Sequence, residues 1–198
     1  MEDQGISKPT EQEIHDKLFA DILPKRHPNS VLAKNWLGWS YRGQETRKPT
    51  KFYREFDVSV FELKTIGTIK SLTLTGFEVK GYEKSSGKPP SFGEGLEQTL
   101  AQLEQGADFS YLVHPEPENP DDKRALKELC DRFAPHIGLI FVPYDLTKLN
   151  PYYSPYREAQ RNPHTTRDRK RDMLTSLAAA GWRDAISELP LWCQRQEY

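Results

Sequence analysis

The chain has 198 residues, 36% hydrophobic and 29% charged, which is enough for one sizeable core and too short for two, so one folded domain is expected. Four Trp and nine Tyr exclude disorder along the whole chain, and a formal net charge of -1 excludes a global pull toward nucleic acid, leaving only local clusters of Lys and Arg. The two cysteines, Cys130 and Cys193, have no CxxC or Cys/His ligand spacing, which argues against a disulfide framework and a zinc site. A reducing, cytoplasmic setting fits these features. No apolar run approaches the roughly 20 residues of a membrane span, and the start, MEDQGISKPTEQE, has no signal-peptide pattern.

Thr10 with Glu13 three residues later is a capping-box pattern, and Ile14, Leu18 and Ile22 follow at helical spacing. The first helix is therefore expected from Thr10, with Pro24 as its stop. Glu11 falls on the side of Ile14 and Leu18, whereas Glu13 points away. Residues Pro28 to Pro49 read as a loop leading into a short strand around Trp39 to Arg42. From Phe52 to Leu63 the alternation of Phe56, Val58 and Val60 with Asp57, Ser59 and Phe61 predicts a strand. A turn near Gly67 returns the chain into SLTLTGFEVKGYE, its antiparallel partner.

GKPPSFGEG reads as a loop, and GLEQTLAQLEQGA as a helix that buries Leu96, Leu100 and Leu103 and stops at Gly106. A strand FSYLV, a polar loop HPEPENPDD, a helix KRALKELCDRF and a strand IGLIFV complete the pattern. The expected order is α-β-β-β-α-β-α-β: an α/β fold with a mixed central sheet flanked by helices, a hairpin on its N-terminal side and a parallel portion after it. Residues 1–148 form this core. The remainder, 149–198, is a Tyr/Pro-rich segment and a basic helix candidate appended to the same domain.

Glu78 and Lys80 are i and i+2 on a strand, so both side chains stand on one face. The hairpin can bring Asp57 beside Glu78 at the sheet's end. Two adjacent carboxylates stay ionised together only around a cation. Magnesium, or manganese, suits an all-oxygen set completed by water and phosphate oxygens, to which the Val79 carbonyl can add one ligand. Lys80 beside it would position or activate the attacking water and offset charge on a phosphate.

Asp57 followed by Glu78-Val79-Lys80, with an acid on a preceding helix and a helix and strand following, resembles the PD-(D/E)XK nuclease superfamily, the restriction-endonuclease-like fold. The likeness covers about Thr10 to Val142. Proline does not precede the acid, since the local sequence is Glu55-Phe56-Asp57. The resemblance implies a divalent-metal-dependent nuclease hydrolysing DNA, with Asp57 and Glu78 as metal ligands and Lys80 as the catalytic lysine. Glu11 would match the acid of the first helix, and Gln98 the glutamine that some members carry to steady the site. Arg157, Arg161, Arg167, Arg169, Lys170 and Arg171 form a cluster able to meet a phosphate backbone by charge. A catalytically inactive nuclease-fold module that binds nucleic acid or a protein partner is the alternative. Homodimer formation, DNA or RNA preference and mode of cutting stay open at this level. The five histidines show no ligand spacing, and none is assigned to catalysis.

Overall fold

The computed structural model describes residues 8–37, 55–66 and 69–165. Thr10 caps the first helix as its spacing requires: the Glu13 N–H donates to Thr10 Oγ1, and the Thr10 N–H donates to Glu13 Oε2 at 2.8 Å. Helix α1 (Glu11–Lys17) runs through a π-helical turn, Leu18–Ile22, into α2 (Leu23–Arg26). Pro24 therefore does not stop the helix. Its missing N–H falls in the first turn of α2, just after the wide turn in which the Leu23 N–H reaches Leu18 O.

Strand β1 (Ser30–Leu37) occupies part of the region read as a loop, and the expected strand at Trp39 to Arg42 lies outside the described residues. Strands β2 (Glu55–Ile66) and β3 (Ile69–Val79) form the expected hairpin, while the turn at Gly67 lies outside the description. Helix α3 (Phe92–Gln105) starts on a Ser91 cap, inside the segment read as a loop, and ends at Gly106, whose φ of 116° suits glycine. Strand β4 (Phe109–Pro115), helix α4 (Pro120–Phe133) and strand β5 (Ile137–Val142) follow.

The five strands lie in the order β1-β2-β3-β4-β5, antiparallel through β3 and parallel from β3 to β5. The fold is thus α/β, with a mixed sheet flanked by helices on both faces. On one face Ile14, Leu18, Ile22 and Leu23 pack on Val58, Val60, Phe77, Val79, Val113 and Ile140. On the other, Leu103, Cys130 and Ala134 pack on Leu112, Ile137, Leu139 and Phe141. Leu96 joins this cluster from its edge, but Leu100 is 40% exposed, contrary to the helical reading. Each fully buried Leu or Phe here contributes about 1.5–3 kcal/mol of hydrophobic transfer.

The segment after β5 is built into this core. Leu149 is buried, Leu139 and Arg157 form a β-bridge along the outer side of β5, and Asn162 Nδ2 donates to the carbonyls of Leu103 and Ala107 at 2.7 and 3.0 Å. That bridge covers an edge that would otherwise present unpaired backbone groups. Among the described residues no helix is long and apolar enough to cross a membrane.

Candidate functional site

The end of β3 carries the chemistry. Lys80 Nζ lies 2.9 Å from Glu78 Oε1, so the i and i+2 side chains do share a face. Although β3 ends at Val79, the Lys80 N–H continues the pairing by donating to Val113 O at 2.8 Å. In the hairpin Val58 stands opposite Phe77, which sets Asp57 one step further along β2, across from Glu78. Asp57 Oδ2 accepts the Val79 N–H at 2.7 Å, and His15 Nε2 lies 3.0 Å from the Asp57 carbonyl oxygen. Two strands thus deliver two acids and an ammonium to one end of the sheet.

A polar chain beneath them was not singled out from sequence. Gln102, fully buried on α3, donates from Nε2 to Glu78 Oε2 at 3.1 Å and accepts at Oε1 from Ser110 Oγ at 2.6 Å. Gly76 makes room for this: a Cβ there would come within 2.5 Å of Gln102 Oε1 and 2.8 Å of the Phe56 ring. Gly95 brings α3 down on the other side, where a Cβ would sit 3.0 Å from Lys80 Cγ. Gln98, expected to steady the site, lies on the same helical stripe between Gly95 and Gln102. Its Oε1 is buried without a hydrogen-bond partner. The glutamine that grips Glu78 is Gln102, one turn further on.

Burial raises both carboxyl groups. Asp57 is held above the ordinary carboxylate value by desolvation, against the pull of the Val79 N–H and of Lys80. For Glu78 desolvation comes first and repulsion from Asp57 second, again opposed by Lys80. Lys80 is itself drawn down by burial, but Glu78, Glu11 and Asp57 outweigh this and leave it above the usual lysine value. Desolvation, joined at Glu78 by repulsion from Asp57, thus outweighs the one ammonium beside the two acids.

That imbalance is the feature a divalent cation would relieve, and the oxygen-only donors suit magnesium or manganese. The residues present fit such an ion through Asp57 and Glu78. Glu11 is exposed at the start of α1, pressed close by Gly81, where a Cβ would meet the Glu11 backbone nitrogen at 2.0 Å. Its charge acts on both acids and on Lys80. Even so, among the described residues no group of three or more His, Cys, Asp or Glu is arranged as a metal cage. Glu11 stands near the carboxylate pair, close enough for its charge to act on both acids. Val79 enters through its N–H, which orders Asp57.

The basic residues divide. Arg157 is buried, with Nε donating to Asp131 at 2.7 Å, Nη2 to Pro135 O at 3.0 Å and Nη1 to Ile137 O. Its guanidinium is committed to the fold and is not presented to a phosphate backbone. Arg161 has a side chain 68% exposed, with one contact to Asp108 at 3.3 Å. Arg167, Arg169, Lys170 and Arg171 lie outside the described residues.

Comparison of the chain with known protein families, with curated proteins and with solved structures found no match. The site's own geometry carries the functional reading.

Proposed function

We propose that the chain is a divalent-metal-dependent nuclease of the PD-(D/E)XK, restriction-endonuclease-like type, hydrolysing phosphodiester bonds in DNA. The observation that carries this is the convergence of Asp57, Glu78 and Lys80 at the end of one hairpin, with a buried acid, a half-buried acid and one cation.

Asp57 and Glu78 would hold the ion, magnesium or manganese. When bound, it supplies neutralisation of the carboxylate pair and electrophilic activation at the scissile phosphate. Glu78 fixes the Lys80 ammonium, which offsets charge building on the phosphoryl oxygens and orients the attacking water. Gln102, itself fixed by Ser110, holds the second Glu78 oxygen, so this carboxylate keeps one orientation. Val79 does the same for Asp57.

Purified protein incubated with branched, single-stranded and duplex DNA, with and without magnesium or manganese, tests the proposal. Metal-dependent cleavage that disappears in Asp57→Ala, Glu78→Ala and Lys80→Ala supports it. DNA binding that survives Asp57→Ala, with no turnover on any substrate, selects the inactive binding module instead.

A further inference from the structure

Strand β1 runs beside β2 in a continuous antiparallel register with one break. Lys34 pairs with Val58 and Trp36 with Phe56, but the pairing skips Asn35 and Asp57 between them. The cause lies at Asn35, whose φ of 52° is left-handed and incompatible with an extended ladder. Among the described residues Asn35 is the one non-glycine residue with a positive φ, and asparagine is one of the few side chains that settle there. A residue in ordinary strand conformation would close the ladder at this point. The break thus falls opposite the acid proposed as a metal ligand.

Helix α1 supplies a partner where β1 does not. His15, 7% exposed, places Nε2 3.0 Å from the Asp57 carbonyl oxygen; a carbonyl only accepts, so Nε2 carries the proton and donates. The ring makes no second hydrogen bond: Nδ1 is buried without a partner, and Asp16 Oδ1 at 3.6 Å is too distant. Phe19, one turn further along, lies parallel to the ring within 6°, with centres 6.4 Å apart. Burying an unpartnered ring nitrogen is unfavourable, yet the side chain is held here with its one bond aimed at the backbone of Asp57. The Asp57 carboxylate is fixed separately, by the Val79 N–H at 2.7 Å.

We infer that His15 and Asn35 are positioning residues for Asp57. The left-handed turn at Asn35 releases the Asp57 peptide from β1, and the imidazole holds that peptide at the angle that sends the carboxylate to the Val79 N–H and to the ion. The inference rests on the proposed role of Asp57 as a metal ligand. Both residues act through Asp57, and neither is itself a ligand. Donors that orient a metal ligand from outside the coordination shell change metal affinity by about 10–100-fold.

Two pairs of variants of the full chain test this. His15→Phe keeps an aromatic ring and loses the donor, whereas His15→Gln keeps an N–H at a similar reach. Asn35→Val disfavours the left-handed backbone, whereas Asn35→Gly allows it; the Asn35 side chain is exposed, so neither change disturbs the core. The first readout is hydrogen exchange of the Val79 amide in metal-free protein at one pH, with the Leu74 amide, bound to Asp108 Oδ2 at 2.8 Å, as the internal reference. His15→Phe and Asn35→Val are expected to speed Val79 exchange about tenfold, as for one lost hydrogen bond, with Leu74 unchanged. His15→Gln and Asn35→Gly should match the wild type. The second readout is manganese affinity, measured from the paramagnetic resonance of the free ion, which should weaken about tenfold in His15→Phe and Asn35→Val alone. Val79 exchange that is unchanged in those two variants, or sped no more than that of Leu74, overturns the inference, as does a glutamine variant that behaves like the phenylalanine one. If Val79 responds as expected but the wild type binds no manganese, the positioning stands and the metal reading fails; manganese binding with no Val79 response does the reverse.

Discussion

Gln102 Nε2 and Glu78 Oε2 are 3.1 Å apart, while Lys80 Nζ holds the other Glu78 oxygen at 2.9 Å. One buried carboxylate is thereby pinned by an amide from α3 on one side and an ammonium from its own strand on the other. The amide is itself fixed by Ser110. Glu78 is thereby held in one orientation with almost no exposure to solvent.

Removing the amide strips Glu78 Oε2 and the Ser110 hydroxyl of their contact with it, while Lys80 still holds Glu78 Oε1. Gln102→Leu should destabilise the protein by about 1–3 kcal/mol per buried group left unsatisfied, read from urea unfolding. Ser110→Ala should cost less, and the two losses should be non-additive, since they act in one chain. Additive losses in the double mutant would argue against the coupled arrangement.

Metal-free stability should depend on pH with a definite sign. Asp57 and Glu78 both have folded values above their ordinary ones, so the folded state binds more protons than the unfolded state in between. The contribution of these two groups to stability is therefore greatest below the ordinary carboxylate values and is lost as pH rises through the raised ones. Added magnesium should restore it, and more strongly at higher pH, because the ion competes with those protons. Asp57→Asn, which keeps an acceptor for the Val79 N–H, should flatten both responses in thermal melts and raise metal-free stability at neutral pH.

Three glycines should respond to alanine in order. At Gly81 the new Cβ would meet the backbone of Thr10 and Glu11 within 2.4 Å, so the start of α1 has to move. At Gly76 it meets the Gln102 amide and the Phe56 ring, which costs about 1–3 kcal/mol of overpacking and loosens Glu78. Gly93, in the first turn of α3, has nothing closer than 4.0 Å, and alanine there should stabilise by up to about 1 kcal/mol. Chemical denaturation of the three variants checks the ranking, Gly81 worst and Gly93 best.

Arg157 and Arg161 should separate by assay. Arg157→Lys cannot reproduce the three-way contact with Asp131, Pro135 and Ile137. It should lower the melting temperature and leave the salt dependence of DNA binding unchanged. Arg161→Ala should lower the salt slope by about one.

Much of this was legible in the sequence. The alternation of Val58 and Val60 against Asp57 and Ser59 set the strand, and the two-residue period put Glu78 and Lys80 on one face. Continuous apolarity marked IGLIFV as β5. Strand β1 was hidden because SVLAKNWL mixes polar residues into a segment bounded by Pro28, and its pairing with β2 is long-range. Pro24 misled because a π-turn absorbs it. Gln102 left two traces that tertiary packing alone explains: a polar residue in the buried stripe of α3, and a glycine inside β3 where another group approaches. Arg157 looked like one cation in a cluster, and only its burial shows its structural role.

Asp57 and Glu78 are proposed to share one divalent ion. A manganese-soaked crystal measured at the manganese absorption edge tests it most directly. One anomalous peak is expected about 2.0–2.3 Å from an oxygen of each carboxylate, lost in Asp57→Asn. A peak bound to neither, or carboxylate oxygens turned to opposite sides of the sheet with no peak between them, would contradict it.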